Sequence, residues 1–292
     1  MTLPFPLPIP EGHFDAPRWD GSAFVCGNQR LSVLEYSENF AGWSDDLTSL
    51  HEESAGDCHP MDLASRHDAL QQVKNFMPSA NAVVVEIGCS SGFLLRDLAS
   101  TFPASVLIGV DVVKEPLYRL AKSLLGVPLI RFDLLQCPLP EQSVDIVIML
   151  NVLEHIEDDA AALLNVFRLL KPGGYLIIEV PAGSYLYDSY DAELKHFRRY
   201  SVIELKRKLK VVGFRVLRQS HLGFIVYPAF VVVKLLNKWL RPRRKSEIVS
   251  DHAARTSGSL LVKYAMKVES KHLTKFSLPF GVRALAVARR PK

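Results

Sequence analysis

From about residue 60 to residue 219, short apolar runs alternate with segments in which apolar residues recur at helical spacing. The runs are Val83–Ile87, Val106–Val110, Val144–Leu150 and Tyr175–Val180. Apart from Glu86, Asp145 and Glu179 they are apolar or glycine throughout. These runs read as strands. Strands of this kind, alternating with helices, predict a doubly wound, mostly parallel α/β sheet. Ahead of them, Asp62–Phe76 carries Leu63, Leu70, Val73 and Phe76 at helical spacing, with Pro78 beyond as a stop. Ser201–Val212 reads as a helix with Ser201 as its cap, Glu204 at its third position and Gly213 after its end. Gly213–Arg218 then reads as a sixth strand. Residues 1–60 are rich in Pro, Gly, Ser and Asp and predict an extension of loops and short elements.

The join between the first run and the next helix carries the chemistry. Val83-Val84-Val85-Glu86-Ile87 enters the small-residue turn Gly88-Cys89-Ser90-Ser91-Gly92, and Phe93-Leu94-Leu95 leaves it. Asp111 follows 19 positions after Gly92, at the tip of the second run. Glycines let such a turn close tightly and let a ligand approach the backbone, and an acid at the second strand tip suits ribose hydroxyls. This is the outline of a nucleoside-binding βαβ unit. A dinucleotide site would read Gly-x-Gly-x-x-Gly and keep a helix N-terminus for a pyrophosphate. Here the spacing is Gly88-x-x-x-Gly92, and Glu86 stands two residues before the first glycine. A carboxylate there repels phosphate and suits a ligand carrying an ammonium and a sulfonium.

The segment resembles motif I of the class I S-adenosylmethionine (SAM)-dependent methyltransferases, with Ser90 where the family often has glycine. Four further segments extend the resemblance in order. They are Leu107–Asp111, Ile130–Leu134 with Asp133, Val144–Ile156, and Leu169–Val180 with its Lys171-Pro172-Gly173-Gly174 turn. By pattern the chain is similar to the type 11 and ubiquinone-biosynthesis-like small-molecule methyltransferases. The resemblance implies a seven-stranded Rossmann-like sheet whose last strand is antiparallel, a role that Val282–Ala288 fits. Residues 61–219 would then be the SAM-binding core, 220–280 a helical lid or docking insertion, and 281–292 the final strand. It also implies Glu86, Gly88, Cys89 and Gly92 at the methionine end of the cofactor. Asp111 and Val112 fall at the ribose, Asp133 and Leu134 at the adenine, and Asn151 next to the sulfonium.

Methyl transfer to a hydroxyl needs a base for its proton, and histidine is the usual choice near neutral pH. His155 follows the fourth strand and His196 lies in the segment after the fifth, so both are candidate bases. Tyr185, Tyr187, Tyr190 and Tyr200 from that segment are candidates to line the acceptor pocket. Arg198 and Arg199 could hold an anionic group in fork geometry or pair with Asp191 or Glu193. Asn151, Glu154 and His155 stand at i, i+3 and i+4, the trio that some quinone-type O-methyltransferases use for a divalent metal. Asn in the first position makes it a poor oxygen donor set, and no metal is expected. Two other classes stay open: a nucleotide-dependent oxidoreductase on a related fold, and a non-catalytic member that binds SAM or a partner only.

Composition refines this outline. At 292 residues, 48% hydrophobic and 23% charged, the chain is globular and long enough for one full α/β core with additions. Cys26, Cys58, Cys89 and Cys137 form no Cys-x-x-Cys pair, so neither a metal ribbon nor a disulfide framework is indicated. The proline-rich start lacks the charged region and apolar run of a secretory signal, and a cytoplasmic location is the expectation. Net charge is +4, with acids concentrated between Glu35 and Asp62 and bases between Lys195 and Lys245. That asymmetry fits an anionic substrate, a membrane surface or a solvated face; no RNA-binding signature is visible, and no nucleic-acid partner is expected. Leu222–Leu240 is apolar for about 15 residues before Lys234 interrupts it, and Pro228 is expected to break or kink it. A spanning helix needs about 20 apolar residues. The insertion therefore reads as a lid, a homodimer contact, or a peripheral membrane element over residues 222–245, ending in the basic cluster Arg241, Arg243, Arg244 and Lys245.

Overall fold

A computed structural model describes residues 2–36, 58–239 and 259–292. The N-terminal segment supplies β1 (Arg18–Trp19), β2 (Phe24–Cys26), β3 (Gln29–Leu31) and β4 (Leu34–Glu35). Then come α1 (Pro60–Phe76), β5 (Val83–Ile87), α2 (Phe93–Thr101), β6 (Val106–Asp111), α3 (Lys114–Ser123), β7 (Leu129–Arg131) and β8 (Val144–Leu150). The second half holds α4 (Asp159–Leu169), β9 (Leu170–Pro181), α5 (Ser189–Glu193), α6 (Val202–Val212), β10 (Arg215–Leu222), α7 (Tyr227–Trp239), α8 (Leu260–His272) and β11 (Arg283–Arg289). Of the sequence features singled out above, residues 37–57 of the acidic stretch and the Arg241–Lys245 cluster lie outside the described residues.

The apolar runs become strands covered on both faces. Along β5, Val83, Val85 and Ile87 enter one core while Val84 enters the other. Along β8, Val147 and Met149 enter the first and Ile146 and Ile148 the second. The first core also takes Leu163 and Val166 of α4 and Leu205 and Leu209 of α6. The second takes Ala69 and Val73 of α1, Leu94 and Leu98 of α2, and Leu117 and Leu120 of α3. The order is β10-β11-β9-β8-β5-β6-β7-β4, with β5 parallel to both β6 and β8. β11 runs antiparallel between β9 and β10.

The sheet has eight strands where seven are expected. The eighth is β4, two residues of the N-terminal extension paired parallel with β7, Leu34 opposite Ile130. β1, β2 and β3 form a separate antiparallel sheet. The helix after Ser201 forms as read: the Ser201 hydroxyl accepts the Glu204 N–H at 3.1 Å, and Gly213 closes the other end at φ 113°. Pro228 does not break the insertion helix. It is the second residue of α7, where the missing N–H has no intrahelical acceptor to lose. β10 runs on to Leu222, four residues past the expected end of the sixth strand.

Candidate functional site

Every parallel strand of the central sheet ends at the same edge, on either side of the point where chain order reverses between β5 and β8, the place where ligands settle in such folds. A cavity of about 380 Å³ opens there, within the usual range for small-molecule sites. Its wall takes Ile87 and Gly88 after β5, Asp111 and Val112 at β6, Phe132 and Asp133 after β7, Leu150 and Asn151 at β8, and Pro181 at the end of β9.

The glycine turn is shaped by close approach. A Cβ on Gly88 would lie 2.3 Å from Val152 Cγ2, and its φ is 77°. Ser90, in the family's glycine position, adopts φ 46°. The left-handed backbone that glycine favours is thus kept by a serine at a strain cost of about 1 kcal/mol. The Ser90 N–H donates to Asp111 Oδ2 at 2.7 Å, and the Val113 N–H donates to Oδ1 at 2.9 Å. Asp111 therefore ties the turn after β5 to the tip of β6 and still borders the cavity. Asp133 caps a 3₁₀ turn, its Oδ1 accepting the Leu135 N–H at 2.9 Å.

Glu86 of β5 and Cys89 and Gly92 of the turn are not part of the cavity wall. Glu86 is buried under the turn, and burial, then Asp111, push its carboxyl well above the usual carboxylate range. Cys89 is likewise buried and its thiol pushed up, which suits packing and not nucleophilic chemistry.

The opposite end of the cavity is built by the segment after β9. Its Tyr190, Leu194, His196 and Arg199 line the wall, with Met61 of α1, Phe230 of α7 and Val282 before β11. His196 Nδ1 lies 3.0 Å from Asp191 Oδ1, and both side chains are buried. Asp191 also takes Arg199 Nε at 2.7 Å and Lys234 Nζ at 3.1 Å. Burial opposes ionisation of Asp191, but the bonds from His196 and Arg199 and the charges of Arg199 and Lys234 outweigh it and hold the carboxyl well below its usual range. An ionised Asp191 can only accept, so His196 Nδ1 carries the proton and Nε2 keeps its lone pair. Burial pushes His196 below its ordinary value despite Asp191, which keeps the ring neutral.

His155 stacks edge-on to His196, ring centroids 4.6 Å apart. Beside them Glu154 is 0% exposed, and neither of its carboxyl oxygens has a hydrogen-bond partner. Burial pushes it up to about 8. One donor atom each from Glu154, His155 and His196 lie within 4.8 Å of one another, the one such group among the described residues. The protonated state that burial favours on Glu154, and the hold of Asp191 on His196, make the group a poor cation site at neutral pH. Asn151 does not join it. Its left-handed backbone (φ 53°) precedes a single 3₁₀ turn over Leu153–His155, so the i, i+3, i+4 spacing never lies on an α-helix, and its side-chain amide donates to Glu179 Oε1 at 3.3 Å.

Four residues expected at the acceptor lie off the cavity wall. Arg198 pairs with Asp159 at 2.8 Å, and Tyr200, fully buried, donates to the same carboxylate at 2.9 Å. Tyr187 donates to the His196 backbone oxygen at 2.8 Å, and Tyr185 is exposed, its hydroxyl bonded to that of Tyr227. The irregular path of the segment through one 3₁₀ turn and the five-residue α5 alternates which side chains turn inward. Three site residues were not singled out from the sequence. Asp191 had appeared only as an ion-pair partner. Lys234 had appeared only as the interruption of an apolar run. Arg283, the lone charge before Ala284–Ala288, meets Asp62 at 2.6 Å and Glu179 at 2.9 Å. Because β11 is antiparallel, its first residue falls at the edge where the parallel strands end.

Residues 85–178 match the family described as a methyltransferase domain. A Mycolicibacterium smegmatis protein named as a probable SAM-dependent methyltransferase is 30% identical over 138 residues, which cover 46% of this chain and 52% of that protein. The chain thus spans about half the length of this curated relative. Among solved structures, the complex between the Haloferax volcanii Trm112 methyltransferase activator and its methyltransferase contains a chain of similar fold. The TM-score is 0.57 at 17% identity, covering 87% of this chain and 100% of that one. Haemonchus contortus phosphoethanolamine N-methyltransferase 2, in complex with SAM, gives a TM-score of 0.53 at 19% identity, covering 84% of this chain and 57% of that one. The site fits SAM on its own terms as well. It offers carboxylates at Asp111 and Asp133 for polar groups, and apolar Val112, Phe132 and Leu134 along the same stretch of wall.

Proposed function

We propose that this chain, whose residues 85–178 match a methyltransferase domain, is a class I SAM-dependent methyltransferase that transfers a methyl group to a hydroxyl of a small, largely apolar molecule. The observation that carries the reading is the Asp191–His196 pair, which presents a neutral imidazole to the same cavity that Gly88, Asp111 and Asp133 line. When bound, SAM supplies an already activated methyl, so the protein's work is to position the acceptor, exclude water and take one proton. Asp111, Val112, Asp133, Leu134, Gly88 and Asn151 hold the cofactor end. His196 Nε2 receives the acceptor proton, and Asp191 fixes the tautomer that makes this possible. His155 and a protonated Glu154 form the floor beside it.

The acceptor end supports an apolar acceptor over an anionic one. Met61, Leu194, Phe230 and Val282 line it, and its two guanidinium groups are already matched, Arg199 by Asp191 and Arg283 by Asp62 and Glu179. The four cysteines form no disulfide, which supports a reducing, cytoplasmic setting.

The test is calorimetric titration of S-adenosylhomocysteine into the wild type and Asp111→Ala. Binding in the micromolar range, lost in the variant, is the expected result. Failure of the wild type to bind, or binding of NADH in its place, would remove the reading. A screen of phenolic and lipid-linked hydroxyl compounds then identifies the acceptor, with His196→Ala as the inactive control.

A further inference from the structure

The insertion that carries Lys234 into the site turns an apolar face outward. Between Tyr227 and Leu236, Lys234 is the only charged residue of α7, and it is buried. Val232, Val233, Leu235 and Leu236 are exposed. A surface helix of an ordinary domain does the reverse, with its charges in water.

α8 is joined to the segment just before α7. Glu269 of α8 accepts the backbone N–H of Gly223 at 2.6 Å and of Ile225 at 3.0 Å. Val226 and Val262 pack on one small core with Met61, Leu222 and Met266. The first turn of α8 presents Leu260 at 79% exposure and Leu261 at 82%, with Tyr264 one turn on. Lys263, Lys267 and Lys271 are exposed along the same helix at four-residue spacing, and Lys275 follows it. The one acid between Ser259 and Phe276 is Glu269, which is buried.

We propose that α7 and α8 form an interfacial docking element that rests on an anionic lipid surface, from which the acceptor enters the cavity. The first half stands on apolar side chains beside a row of lysines that pair with no acid among the described residues, the combination that binds the headgroup region of a bilayer. The geometry is that of lying on a membrane and not crossing it: α7 is about 20 Å long against a hydrocarbon core of about 30 Å. No helix among the described residues is long and apolar enough to span. A second copy docked through the same face fits less well, because it would set its own Lys263, Lys267 and Lys271 against these and like charges repel. The second half rests on the methyl-transfer reading. Phe230 of α7 lines the acceptor end of the cavity, so a single helix separates that end from the outward apolar face.

The docking is tested with the full chain and no cofactor, by co-sedimentation with phosphatidylcholine vesicles carrying about 30 mol% phosphatidylglycerol, and with phosphatidylcholine alone. The expected result is association with the anionic vesicles, weakened by salt. Leu260→Asn with Leu261→Asn should abolish it. Lys263→Gln, Lys267→Gln and Lys271→Gln together should weaken it roughly a hundred-fold, about five-fold per lysine. These positions are exposed, so an unchanged thermal midpoint will show that the variants fold. The proposal is overturned if the wild type ignores both vesicles or if the variants sediment like the wild type. It is equally overturned if the chain dimerises in lipid-free buffer through Leu260 and Leu261. Because the readout needs neither SAM nor acceptor, loss of the methyltransferase reading in the S-adenosylhomocysteine titration would leave the docking result standing, and the reverse holds too.

Discussion

Three donors converge on Asp191: His196, Arg199 and Lys234. Replacing it by Asn keeps the shape and removes the charge that fixes the His196 tautomer. Asp191→Asn is expected to lower kcat by about 10²- to 10⁴-fold while S-adenosylhomocysteine still binds by calorimetry. The pH profile tells this apart from a packing defect. Burial already pushes His196 below its ordinary 6.5, and Asp191 is what opposes that shift. In the wild type the acid limb of kcat should therefore lie below 6.5, and in Asp191→Asn the residual activity should have its limb lower still. Glu154 has the opposite linkage. Its folded value is raised from 4.5 to about 8, so its contribution to stability is present in full below 4.5 and is lost as pH rises through 8. Wild-type stability should fall by a few kcal/mol across that window, at about 1.4 kcal/mol per unit, and Glu154→Gln should flatten the fall in chemical denaturation at pH 5 and pH 9. Of these groups His196 was a candidate from its place after the fifth strand, and it does line the cavity. Asp191 was not, because an acid five residues before a histidine in an irregular segment has no period to betray it.

At the scale of elements, α7 meets the candidate site through two side chains, Phe230 and Lys234. Lys234 leaves α7 to reach Asp188 at 2.6 Å and Asp191 at 3.1 Å. Lys234→Met should loosen α7 without unfolding the sheet: its amide hydrogens should exchange faster while those of β5 and β8 stay protected. Equal protection of α7 in variant and wild type would show that its apolar contacts alone hold it. The strands of the central sheet were readable because short, mostly apolar runs alternate with helical spacing, and the helix after Ser201 because its cap and its closing glycine are both chemical signals. β4 was not readable, since two residues show no periodicity. The acceptor segment was half readable. Tyr190, His196 and Arg199 reach the cavity, but Tyr185, Tyr187, Arg198 and Tyr200 turn elsewhere, and one-dimensional order cannot tell inward from outward where no regular helix or strand fixes the rotation.

At the scale of the whole molecule, Arg283 ties the end of the chain to its beginning. It donates to Asp62 across 221 positions and to Glu179 across 104. Arg283→Met would strand the buried Glu179 carboxylate and should cost about 3–5 kcal/mol, a fall of roughly 10 °C in the thermal midpoint. A drop of a degree or two would mean that Ser65 and Asn151 satisfy Glu179 by themselves. The placement of β11 has a consequence in time as well as in space. It is made last and lies between β9 and β10, which are both made before it. A ribosome therefore releases Gly88, Asp111, Asp133 and His196 into a nascent chain whose β9 has an unpaired edge and whose β10 has no neighbour to join. The slot that seals the sheet and completes the cavity therefore stays open, and the edge of β9 exposed, until β11 has been synthesised.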